Sequence, residues 1–138
     1  MSRDTGFSLL ELIVVIVIAG ILAALALPRF TDSETRASWY HEQVKAGIRY
    51  AQRQAVAQRR AVFVDVQAGQ LRLCYDAVCG TLLTQVATGT PYVLEAPSGV
   101  TLAPAGVFSF DALGQTAGYG VTVGGHAITV HAGTGYVQ

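Results

Sequence analysis

The chain has 138 residues, 51% of them hydrophobic and only 13% charged, and its nine acids balance its nine bases. That length suits one modest domain plus one long element, not two domains, and the charged share falls well short of the roughly 25% usual in a soluble domain. All nine Lys and Arg lie at or before Arg72, and beyond it come only Asp76, Glu95 and Asp111. The C-terminal half is therefore unsuited to grip phosphate, which argues against nucleic acid as a partner.

The deficit of charge is local. Leu12 to Leu27 contains no polar side chain, and from Phe7 onward only Ser8 and Glu11 interrupt the run. As a helix, residues 7–27 are about 31 Å long, against a hydrocarbon core of about 30 Å. One membrane span is the expectation. A secretory signal peptide has a basic start, an apolar core of roughly 7–15 residues and a small-residue cleavage site after it. Here the run is longer, its start M-S-R-D-T-G balances one Arg with one Asp, and its end, A-L-A-L-P-R-F, leads into more helix-like sequence. The span is expected to stay in the mature protein. Arg29 and Arg36 beyond it, interspersed with Asp32 and Glu34, give only a weak charge bias for orientation. Glu11 stands out as an acid one turn inside the apolar segment. Either it sits at headgroup depth, where it is tolerated, or assembly brings it a cationic partner.

Gly6 to Leu12, G-F-S-L-L-E-L, resembles the class III signal of prepilins. The resemblance implies cleavage by a prepilin peptidase between Gly6 and Phe7, N-methylation of Phe7, and a role for Glu11 in assembly through the N-terminal amine of a neighbouring subunit. Pro28 matches the family's frequent Pro just past the span. Ser8 stands where Thr is more usual. The implied boundaries are a leader over 1–6, a transmembrane and assembly helix over 7–27, its amphipathic continuation over 28–60 and a periplasmic sheet domain over 61–138.

After Pro28, which cannot donate a helix hydrogen bond, the helical pattern resumes. Tyr40, Val44, Ile48, Ala51 and Ala55 form one apolar stripe, and Lys45, Arg49 and Arg53 a basic one, read as a solvated face with an intersubunit contact as the rival. Thr31 and Glu34 have capping-box spacing. The pattern predicts helix from about Phe7 to about Arg60. The period then changes to two. Strands are expected over 61–67 and 70–75 around Ala68-Gly69, then near 81–87, 92–95, 100–102, 107–110, 121–123, 127–131 and 136–137, with Gly124-Gly125 as a tight hairpin turn. The fold class expected is α+β and pilin-like: a long N-terminal helix packed on an antiparallel β-sheet domain. Cys74 and Cys79 in C-Y-D-A-V-C lack the C-x-x-C spacing of redox and zinc sites. Outside the cytoplasm they would form a disulfide closing a short loop, the alternative being two free thiols in the sheet.

A-x-x-Q-A-V-A-Q-R-R-A-V over 51–62, F-S-F-D-A-L-G over 108–114 and I-T-V-H-A-G-T-G-Y-V over 128–137 resemble H-type minor pseudopilins and FimT-like and mannose-sensitive haemagglutinin minor pilins. Some FimT-like pilins bind DNA through basic residues near the C-terminus; the tail G-T-G-Y-V-Q has none, so that property is not carried over.

No catalytic, cofactor or metal site is legible. His126 and His131 point to opposite faces of a regular strand, and His41 lies far away on the helix. Asp65, Asp76 and Asp111 read as turn or surface acids, and Gly114 to Gly120 lacks the strand and helix of a phosphate loop. The expectation is a non-enzymatic minor pilin or pseudopilin of a type IV pilus or type II secretion pseudopilus, aiding filament initiation or assembly. Its expected partners are membrane lipid, the prepilin peptidase, the inner-membrane assembly platform and other pilin subunits. The alternative is a binding module, for DNA or a surface, on the same anchor.

Overall fold

The computed structural model describes residues 8–25 and 33–138, and contacts divide the chain into the units Met1–Phe30 and Thr31–Gln138. In the first unit, α1 runs Leu9–Leu25. Its described apolar side chains are exposed all around the helix, from Leu9 and Leu10 to Ile21 and Leu22. Such a helix has no polar face to give to water. Among the described residues no helix is long and apolar enough to cross a membrane. The 17 residues of α1 reach about 26 Å, just short of the hydrocarbon thickness. Gly6, Phe7 and Pro28 lie outside the described residues, as does the expected continuity of the helix past Pro28.

The second unit begins with α2, Ser33–Gln58. The predicted stripe is its buried face: Tyr40, Val44, Ile48, Ala51 and Ala55 are fully covered. The helix ends at Gln58, two residues before the expected limit. Arg59 adopts φ +52°, Arg60 N–H donates to the Ala55 carbonyl and Arg59 N–H to that of Val56. This is the Schellman stop, with Arg where glycine is usual.

Seven strands follow: β1 Val62–Gln67, β2 Gln70–Cys74, β3 Val93–Glu95, β4 Leu102–Ala103, β5 Gly106–Phe110, β6 Tyr119–Val123 and β7 His126–Val130. They form two antiparallel sheets, ordered β3-β2-β1-β5 and β4-β6-β7, not one. Val62, Val64 and Val66 of β1, Leu71 and Leu73 of β2, Phe108 and Phe110 of β5 and the inward residues of β6 and β7 join the α2 stripe in one core. The alternation of buried and open positions along β5 to β7 is the period-two signal read in the sequence.

Residues 81–87, expected as a strand, make only the isolated bridges Cys74↔Leu82 and Thr84↔Pro91. The tight turn in which Gln85 N–H donates to Thr90 C=O and Gly89 N–H to Gln85 C=O draws the chain out of the ladder. Residues 136–137 likewise contribute one bridge, Val130↔Val137. The hairpin at Gly124-Gly125 forms as read, with φ +54° and +92° between the paired Val123 and His126. Two positive φ values are what the favoured two-residue turn requires. A Cβ on Gly124 would also come within 2.5 Å of the Ala37 Cβ, so this glycine lets the hairpin approach α2.

Candidate functional site

Glu11 is the third residue of α1, in its first turn, and is exposed. Ser8 directly precedes the helix and its carbonyl accepts from Leu12 N–H. Ser8 and Glu11 therefore have the spacing of a capping box, S-x-x-E, a signal the sequence contained and the reading above did not use. A carboxylate in the first turn is also favoured by the helix dipole. Among the described residues, Glu11 is the one anionic group of α1, set among exposed Leu, Ile and Val side chains. An ammonium group is the chemistry that complements it.

The basic stripe of α2 borders the C-terminal segment. Arg49 and Arg53 are exposed, with Lys45 partly so. Arg49 Nη2 donates to the Val137 carbonyl at 3.0 Å. Gln52 Nε2 donates to the Gly114 carbonyl at 2.9 Å and to that of Thr134 at 3.0 Å. One helix thus pins two loops. A groove of about 450 Å³ lies along this seam, lined by Arg49, Gln52, Arg53 and the Tyr136 ring. Gly135 sits under the same seam, where a Cβ would collide with the Gly114 carbonyl and with the Phe110 ring.

Cys74 and Cys79 have Cα atoms 5.1 Å apart with their sulfurs in bonding contact, within the reach of a disulfide. Asp76, inside that loop, accepts from the N–H groups of Gly80 and Thr81 at 2.8 and 2.7 Å. The bond from Gly80, then that from Thr81, holds its carboxyl below the ordinary range. Asp111 likewise accepts from Leu113 and Gln115 N–H. Both are turn acids as expected. Asp65 is neither turn nor surface. It is 7% exposed on β1 and ion-paired with Arg72 of β2, whose Nε lies 3.0 Å from Oδ2, and Gln67 donates to the same oxygen. Asp65 and Arg72 are directly opposite in the register, the cross-strand pairing that the two-residue turn at Ala68-Gly69 sets.

His41, remote in sequence from the other histidines, comes within 5.7 Å of His126, ring centre to ring centre. His131 stacks on Tyr136. Among the described residues no three His, Cys, Asp or Glu side chains converge to hold a metal ion.

Residues 1–27 match the family described as the prokaryotic N-terminal methylation motif. The type IV narrow pilus major component PilA5 of Thermus thermophilus is 41% identical over 61 residues, 44% of this chain and 53% of that protein. A fimbrial protein of Moraxella nonliquefaciens is 54% identical over 37 residues, 27% of this chain and 24% of that protein. The chain therefore spans only 53% and 24% of the length of these curated relatives. The type IV minor pilin FimU of Pseudomonas aeruginosa is similar in fold in two crystal forms. The TM-scores are 0.56 and 0.53 at 15% and 16% identity, with 76% and 73% of this chain and 88% and 90% of FimU covered. Residues 1–27 thus carry the pattern of the N-terminal methylation motif, and the fold is similar to that of a type IV minor pilin.

Proposed function

We propose that the chain is a minor pilin or pseudopilin, a structural and non-enzymatic subunit built into a type IV pilus or the related type II secretion pseudopilus, where it aids filament initiation or assembly. The observation that carries this reading is the methylation motif over residues 1–27 at the head of a helix whose described apolar side chains are exposed, in a chain with the fold of a minor pilin. An all-apolar helix needs either lipid or other helices around it. A pilin-type subunit has each in turn, lipid before assembly and neighbouring subunits after it.

In this reading the prepilin peptidase removes residues 1–6, cutting between Gly6 and Phe7, and Phe7 is N-methylated. Residues 7–27 anchor the chain once in the inner membrane, residues 28–60 continue the helix past Pro28, and residues 61–138 form the periplasmic sheet domain. An inner-membrane assembly platform extracts the subunit as residues 7–27 exchange lipid for neighbouring helices. Glu11 pairs with the new ammonium of an adjacent subunit and sets its register. The attraction offsets the desolvation of both charges only when the pair forms, so an unmatched register is disfavoured. Cys74 and Cys79 are bonded in the oxidising periplasm, and their short loop contributes about 2 kcal/mol.

The test is the N-terminal mass of the protein purified from its native membrane. The expected mature chain begins at methylated Phe7. A chain that still begins at Met1 in cells with an active prepilin peptidase overturns the assignment. A bulky residue in place of Gly6 should block processing in the same assay.

A further inference from the structure

The tight turn between β6 and β7 fixes which backbone groups of β7 face away from its partner. A two-residue turn at Gly124-Gly125 makes Val123↔His126 a hydrogen-bonded pair, and so, in alternation, Val121↔Ile128. Ala127 and Thr129 therefore direct their N–H and C=O groups to the outer edge. Those of Thr129 are taken by Gln138. The Ala127 carbonyl instead meets His41 of α2, whose Nε2 lies 3.3 Å from it. His126 stands on the face of β7 that turns Ile128 and Val130 to the core, and its ring centre is 5.7 Å from that of His41. Gly124 packs against Ala37, one turn before His41 on the same helix face, and so holds the hairpin in this place.

The ring of His41 has more acceptors beside it than protons to give them. Its Nδ1 lies 3.4 Å from the Glu42 carboxylate, and its Nε2 faces the Ala127 carbonyl. A neutral imidazole has one N–H. The carboxylate is the stronger acceptor, so the Nε2 lone pair is left against the carbonyl oxygen. A cation between the two atoms removes that repulsion. The spacing suits a metal ion, because two ligand atoms about 2.1 Å from one tetrahedral ion lie about 3.4 Å apart. Two imidazoles on such an ion have their ring centres about 5–6 Å apart. A histidine that binds metal through one nitrogen commonly gives the N–H of the other to a carboxylate, which is the position Glu42 holds.

We propose that His41 Nε2, a ring nitrogen of His126 and the Ala127 carbonyl oxygen bind a divalent ion of the imidazole-preferring class, zinc foremost, with Glu42 orienting His41 and water completing the shell. The site is built from two imidazoles and one main-chain oxygen. It therefore agrees with the lack, among the described residues, of three converging His, Cys, Asp or Glu side chains. It is open to solvent, since His126 and Glu42 are exposed. An ion held there clamps the β6–β7 hairpin to α2 and stabilises the second unit by mass action. The inference does not depend on incorporation into a filament, because all its residues belong to the second unit.

The experiment is isothermal titration calorimetry of zinc chloride into the full, untagged chain in detergent micelles, with thermal unfolding alongside. One ion should bind, and the Tm should rise with zinc concentration. His41→Ala and His126→Ala should each abolish both effects. Glu42→Gln should weaken binding about tenfold, by loosening the orientation of His41. His131→Ala should change neither effect, because that ring stacks on Tyr136 and takes no part in the site. If His41→Ala does not fold, the exposed His126 decides. The absence of zinc binding, the result expected if a second proton satisfies His41, overturns the proposal. So does binding that survives the loss of His126, ignores Glu42→Gln or disappears with His131.

Discussion

Two polar side chains set opposite demands on their surroundings. Among the described residues Glu11 is the one carboxylate of α1, and the proposed function gives it an ammonium partner only in the assembled filament. Glu11→Ala should therefore leave membrane insertion and leader removal intact and reduce incorporation into filaments, measured by co-purification with sheared filaments; normal incorporation would sink the pairing mechanism. Tyr40 is already satisfied. Its ring is fully buried and its hydroxyl donates to the Leu94 carbonyl at 2.8 Å. Burial first, and the nearby Glu95 second, push its pKa from 10.0 up to about 12. Because the folded value lies above the unfolded one, the neutral phenol stabilises the fold fully below pH 10, and this contribution is lost as pH rises toward 12. Burial shifts Tyr92 and Tyr119 in the same direction. Urea unfolding from pH 9 to 12 should show this decline, and Tyr40→Phe should make it shallower while lowering stability at neutral pH by about 1 kcal/mol.

At the scale of elements, α2 organises the second unit by where it stops and what it pins. Arg59 holds a left-handed conformation, φ +52°, that an L side chain adopts at a cost of about 1 kcal/mol and glycine adopts freely. Arg59→Gly should stabilise the protein by about 0.5–1 kcal/mol in chemical denaturation; a loss of stability would mean that the Arg59 side chain contributes more than its backbone conformation costs. Gln52 serves two loops with one amide nitrogen, through the Gly114 and Thr134 carbonyls. Gln52→Ala should cost about 1–2 kcal/mol and raise hydrogen exchange at the 111–118 and 132–136 loops. Gln52→Glu should cost more, because a carboxylate would face two carbonyl oxygens with no proton to share.

For the whole molecule, the two units differ in where their apolar side chains lie. Among the described residues, the buried core runs from Ala37 to Val137 within the second unit. A fragment of residues 31–138 should therefore fold alone, with a single cooperative unfolding transition and no need for detergent. A fragment that is unfolded or molten would show that the N-terminal unit contributes to the core. The full chain should need detergent or lipid, since the described large apolar side chains of α1 are exposed.

The sequence by itself determined what rests on local pattern. The N-terminal motif is a contiguous string, and residues 1–27, which contain it, match a known family. The apolar stripe of α2 and the alternation along β5 to β7 follow from the 3.6 and 2.0 residue periods, and the Gly-Gly turn from the φ values that glycine permits. What depends on which segments meet was left to the tertiary structure. It decided that the strands form two sheets, that residues 81–87 and 136–137 make bridges in place of strands, that Asp65 is buried against Arg72, and that His41 lies beside His126. Strand order is not encoded in any one strand's periodicity, because every amphipathic strand offers the same two edges. It follows from how the segments pack together on the buried face of α2.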